Sequence, residues 1–178
     1  MKILFHEKAY RLVKGAMIVI AIMMLGYVAY AATTQTISNT GTITVGAKNF
    51  ALAAPTCGTG GSASGGATPL CEFVSQPTCG STSGTYNTST ATYTIADWSI
   101  AQGGSQTKYV CLENTGASTT ATVSWAAGTG TPVGLTCTST IAAKAIGNNA
   151  FLAVDLACTA SLSTNAGTTV DFGSFTIS

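Results

Sequence analysis

Charge is what this chain has least of. Asp, Glu, Lys and Arg make up 7% of 178 residues, against about 25% in ordinary soluble domains. The only histidine is His6 and the only arginine is Arg11. Past residue 31 the cations are Lys48, Lys108 and Lys144, set against Glu72, Asp97, Glu113, Asp155 and Asp171, a balance of −2. Nucleic-acid binding needs clustered Lys or Arg to neutralise phosphates, so it is excluded. Without histidine there is no Ser-His-Asp or Cys-His relay. No neighbouring carboxylates suggest glycosidase chemistry. No C-x-x-C or Cys/His cluster suggests a metal. The glycines at 58–61 and 65–66 lie in a Ser/Thr/Gly loop and open no helix, so they do not read as a phosphate cradle. The expectation is a protein that is not an enzyme and takes no cofactor.

What is present begins with a leader. Lys2, Lys8, Arg11 and Lys14 precede an apolar run, Ala16–Val28, which ends at Ala29-Tyr30-Ala31. A basic start, a short apolar stretch and a small-x-small exit predict a secretory signal peptide over residues 1–31, cut between Ala31 and Ala32. The run is short for a membrane span, so membrane contact is expected only during export. A second reading is open: Lys14-Gly15 before Ala16 looks like a type IV pilin leader site, with residues 16–32 kept as an apolar helix. Thr33–Gly41 argues against it, because that stretch breaks a helix at once.

Cysteine use agrees with export. Cys57, Cys71, Cys79, Cys111, Cys137 and Cys158 all follow the leader. An even number in an exported chain predicts three disulfides, with 15 connectivities allowed. Cys137 and Cys158 occupy similar places in two late strands and are the first pair to expect. Asn87-Thr88-Ser89 is the single N-x-S/T sequon and makes Asn87 the candidate glycosylation site.

Strand signals recur through the remainder, punctuated by Gly, Asn and Ser, with no sustained helical period. The expected strands are Lys48–Ala53, Glu72–Gln76, Thr90–Ile100, Gln106–Glu113, Thr119–Trp125, Val133–Cys137, Ala150–Cys158 and Thr168–Ile177. Pro55–Gly66 and Pro77–Asn87 read as loops, and Ser139–Ile146 as a helical turn. Tyr93 and Ile95 are out of phase with Trp98 and Ile100, which predicts a bulge near Asp97. The core candidates are Trp98, Trp125, Phe151 and Phe172. The fold class is an all-β antiparallel sandwich or jelly roll.

The first strand is the most regular. In Thr34–Val45, Ile37, Asn39, Gly41, Ile43 and Val45 fall on one face and hydroxyl residues on the other, the period of a half-buried strand. A strand at the free end of an exported β domain can be given to a neighbouring copy. Such a donor must be unpaired in its own domain; a module that does not polymerise keeps it at home.

Tyr109-Val-Cys-Leu-Glu-Asn-Thr-Gly116 and Thr119-Thr-Ala-Thr-Val-Ser-Trp125 form a strand, an Asn-Thr-Gly turn and a strand. With the leader, the Thr-rich first strand and the Phe-Thr-Ile ending, the chain resembles archaeal bundling-pilus subunits. Those are similar to TasA-type biofilm matrix fibre proteins. The resemblance implies a jelly roll polymerised by an N-terminal donor strand, here residues 32–46, ahead of a sandwich domain, 47–178. It also implies an extracellular filament made of copies of this chain and serving adhesion and cell–cell association. The six cysteines depart from the family pattern and read as local reinforcement. The alternative is a non-polymerising surface or S-layer-associated module.

Overall fold

The computed structural model describes residues 17–20, 22–23, 36–46, 49–87, 92–164 and 173–178. The chain divides into two compact units, Met1–Gln35 and Thr36–Ser178. In the first, residues 17–20 and 22–23 are helical. Their apolar side chains, among them Met17, Ile18 and Met23, are exposed. Among the described residues no helix is long and apolar enough to cross a membrane. The cleavage positions Ala31 and Ala32 lie outside the described residues, as does Phe172.

The second unit is built of strands: β1 (Thr36–Val45), β2 (Phe50–Cys57), β3 (Gly61–Ala63), β4 (Cys71–Phe73), β5 (Gly84–Asn87), β6 (Thr92–Ala101), β7 (Ser105–Asn114), β8 (Thr119–Ala126), β9 (Leu135–Thr138), β10 (Ala143–Ile146), β11 (Phe151–Ala160) and β12 (Ser174–Ile177). They form a five-stranded sheet, β10-β8-β12-β1-β6, and a seven-stranded sheet, β3-β4-β7-β11-β9, in which β2 pairs with both β7 and β5.

Alternation makes the core. Val110 and Leu112 of β7, and Leu152, Val154, Leu156 and Cys158 of β11, are buried on the inner face of the seven-stranded sheet. Across from them lie Ile43, Tyr93, Ile95, Trp98, Ile100, Phe175 and Ile177 of the five-stranded sheet. The phase change in β6 is a bulge. Asn39 faces Trp98 and Gly41 faces Ile95, so two residues, Ala96 and Asp97, oppose Thr40 alone. The extra residue lets both halves of β6 point their large side chains inward.

β7 is buried on both faces. Cys111 packs with Ala53, Cys71 and Phe73 in a second cluster, joined by Tyr86 and Tyr109. All three disulfides form: Cys57–Cys71, Cys79–Cys111 and Cys137–Cys158. Cys137 and Cys158 are direct partners across β9 and β11, with Cα atoms 4.1 Å apart, the spacing of a narrow antiparallel pair. Thiol titration of the denatured, unreduced protein is therefore expected to give close to zero. Two or more free thiols would undo the pairing.

Several expectations are corrected. The sandwich is not wholly antiparallel: β1 runs parallel to β12, Thr42 to Val45 opposite Ser174 to Ile177. The stretches expected as loops contain β3, the end of β2, and β5. They pair because their cysteines tie them to the sheet. Ser139–Ile146 is no helical turn. Asp155, buried, accepts hydrogen bonds from the Thr140 amide at 3.0 Å and the Thr140 hydroxyl at 2.7 Å. That fixes the turn, and Ala143–Ile146 then pairs with β8 as an edge strand. Trp125 and Phe151 are only partly buried; Phe151 stacks at 5.1 Å on Tyr86.

Candidate functional site: the seat of the first strand

The candidate donor strand has partners in its own domain. β1 lies between β6 and β12 in the five-stranded sheet and pairs with both. The expectation that Ile37, Asn39, Gly41, Ile43 and Val45 lack partners at home is not met. Ile37 faces Ile100, Asn39 faces Trp98, Gly41 faces Ile95 and Ile43 faces Tyr93 on β6. Ile43 also faces Phe175, and Val45 faces Ile177, on β12. The reason is the apolar face itself. Ile43 is 0% and Val45 2% exposed, and a strand this apolar on one side gains by covering the nearest sheet gap. On the outer face the Thr44 and Thr92 hydroxyls meet at 3.1 Å. Below Val45, the Gly46 amide donates to the Ile177 carbonyl at 2.7 Å.

The far edge of β6 is covered at Thr94. The Ser64 hydroxyl donates to the Thr94 carbonyl. The Thr94 amide donates to the Thr68 carbonyl at 3.0 Å, and Pro69 bridges Thr94 in parallel. Withdrawing β1 would therefore leave one cleft, bounded by β6 and β12 and floored by the core.

An ion pair supports that floor. Lys108 Nζ lies 2.8 Å from Glu72 Oε2, with both side chains under 10% exposed (8% and 6%). The same ammonium sits 5.1 Å from the centroid of the Trp98 ring. Trp98 in turn packs against Phe175 of β12, ring centres 6.5 Å apart. A charge pair thus links the seven-stranded sheet to the two strands that flank β1. In the sequence Lys108 alternates with Val110 and Leu112, the pattern of an inward face, whereas Glu72 lies on a separate short strand, β4, and carries no such signal.

Asn87 is exposed as the last residue of β5, opposite Leu52. Nearby, a cavity of about 240 Å³ is lined by Thr59, Gly60, Phe73, Ser75, Thr78 and Ser83, among others. Beside it the Tyr86 hydroxyl donates to the Gly80 carbonyl at 3.3 Å, and burial pushes the Tyr86 phenol above its ordinary range. Among the described residues, no three of His, Cys, Asp and Glu come together as a metal site would require. Comparison with protein-family models, with curated proteins and with solved structures gives no match.

Proposed function

We propose that this chain is exported, is oxidised outside the cell, and serves as the structural subunit of an extracellular filament whose copies are joined by exchange of β1. One observation carries the reading. The first strand of the body lies in the middle of a sheet, and only residues 46–49 connect it to β2. A central strand left at the N-terminus once the leader is cut is the element most easily traded between copies. Its loss opens two rows of unpaired backbone groups and an apolar slot that only a similar strand fills. The neutral surface supports the same reading, since subunits of low charge stack without accumulating repulsion. Three disulfides support the compartment.

The second reading is a non-polymerising surface module. The home pairing of β1 favours it directly, because a closed sandwich offers no slot to a neighbour. Electron microscopy of surface-sheared material, with terminal peptide sequencing, separates the two. The filament reading expects thin fibres containing this chain with Ala32 at the N-terminus. An N-terminus at Ala16 would move the protein to the type IV pilin class and end the strand-exchange mechanism. Monomeric material with β1 in place would support the surface module.

A further inference from the structure

The directions of β1 and β2 decide what an exchange can build. Thr36 lies opposite Ala101, and Thr44 opposite Thr92. The Gly104 amide donates to the Ala101 carbonyl at 2.9 Å, where β6 turns into β7. One end of the sandwich thus holds the start of β1 and the start of β7. The other holds the end of β1, the end of β7, and Phe50, which faces Asn114. β1 leaves its seat at the same end at which β2 begins.

Suppose β1 entered a second copy in its home direction. Its end, Val45, would sit at the far end of the acceptor, held to Phe50 of the donor by residues 46–49. Five Cα steps reach at most about 18 Å, so the two far ends would face each other. The acceptor's own β1 leaves from that same end, and the slot it meets is the donor's. The exchange would be reciprocal and would close on itself as a two-fold pair. An open chain requires the strand to enter turned end for end.

The sequence of β1 suits that turn. About Gly41 the alternate residues of β1 read Ile37, Asn39, Gly41, Ile43, Val45, so reversal exchanges Ile37 with Val45 and Asn39 with Ile43. Apolar residues still hold both ends. The one large change brings Asn39 to the place of Ile43, opposite Tyr93. Tyr93 is 1% exposed, and its hydroxyl has no hydrogen-bond partner among the described residues. A buried hydroxyl left unpaired is costly. Asparagine brings both a donor and an acceptor to that part of the slot.

We infer that in the filament β1 occupies a second copy in the reverse of its home direction, antiparallel to β12 and parallel to β6, with Asn39 against the Tyr93 hydroxyl. This rests on the filament reading above. The home form is then a self-capped subunit, and assembly requires β1 to leave before it can join a neighbour.

The test uses the full mature chain in two doubly substituted forms, with bridges mapped by peptide mass spectrometry after mild oxidation. In Thr44→Cys with Thr92→Cys, the home direction brings the two positions together. In Thr44→Cys with Ser99→Cys, reversal about Gly41 does so, because Thr44 takes the place of Ser38, which faces Ser99. The expected result is filaments in which residues 44 and 99 are bridged between subunits, giving a ladder of multimers. Filaments bridged between subunits at 44 and 92, or at neither position, would leave the filament reading standing and overturn the reversal. A closed pair bridged at 44 and 92 would retain exchange but end both the filament and the reversal. A Thr44→Cys, Ser99→Cys form that stayed monomeric would end both as well, whereas an intrachain bridge at 44 and 92 only locks the self-capped form and should block assembly. A further variant, Tyr93→Phe, should leave the monomer's melting temperature unchanged or higher while raising the critical concentration for assembly about tenfold. An unchanged critical concentration would remove Asn39 and Tyr93 from the argument.

Discussion

Deleting residues 32–45 should yield a monomer that forms no fibres and that captures a synthetic Thr34–Val45 peptide. The strand occupies a defined seat between β6 and β12, so the cost of its loss can be framed. Ile43 and Val45, both essentially fully buried, contribute about 1.5–3 kcal/mol each. Ladder bonds to β6 and β12 add about 0.5–1.5 kcal/mol apiece, and ordering the strand costs about 1–2 kcal/mol per residue. The truncated domain is therefore weakened but keeps its disulfides and most of its core. At a peptide concentration of about 100 times Kd, mass action returns about 2.7 kcal/mol. For a domain of this size that is a rise of about 10 °C in Tm. A peptide carrying Ile43→Asp should produce no rise, because it would place an unpaired carboxylate in an apolar slot. Polymerisation of the truncated chain would sink the exchange mechanism. A monomer that ignored the peptide would assign β1 permanently to its own domain and favour the surface module.

The second large effect is expected at the buried ion pair. Glu72→Ala leaves the Lys108 ammonium in the core, above the Trp98 ring and nearly without water. Removing one partner of a buried pair costs about 3–5 kcal/mol. Replacing both, with Glu72→Leu and Lys108→Met, should recover most of that loss, because neither charge then needs desolvating. Chemical denaturation of the three proteins measures this. A Glu72→Ala loss below about 0.5 kcal/mol, the range of ordinary surface substitutions, would show that the pair carries no such weight.

The sequence made the inner face of the sandwich readable. Leu152, Val154, Leu156 and Cys158 alternate without a break, and the phase change in Thr90–Ile100 marks the bulge. Both features are local, and period two is enough to find them. The pairing of Cys137 with Cys158 was legible for the same reason, since both lie at matching places in neighbouring strands. The outer cluster was not. Tyr109 and Cys111 occupy the face of β7 that alternation assigns to solvent, and only the folding of residues 57–87 over that face buries them. Ser139–Ile146 misled because alanine and isoleucine suit a helix as well as a strand; pairing with β8, a distant contact, decides it. The seat of β1 depends on a partner more than a hundred residues away, β12, and no short-range pattern reports such a contact. Its alternation showed a buried face but not whose core would bury it.

The placement of the cysteines has a mechanical consequence. Every bridge joins β2, β4, β7, β9, β11 or the segment between β4 and β5. None touches β1, β6, β8, β10 or β12. Under load, the segments between bridged cysteines cannot lengthen, whatever happens to their hydrogen bonds. In the five-stranded sheet β6 and β10 lie inside the Cys79–Cys111 and Cys137–Cys158 segments, whereas β1, β8 and β12 lie outside every bridged segment and would give way first. The bridged segments are thus a fixed frame and β1, β8 and β12 a spring: these three strands can slip, part and reseat while the covalent frame preserves the register to which they return.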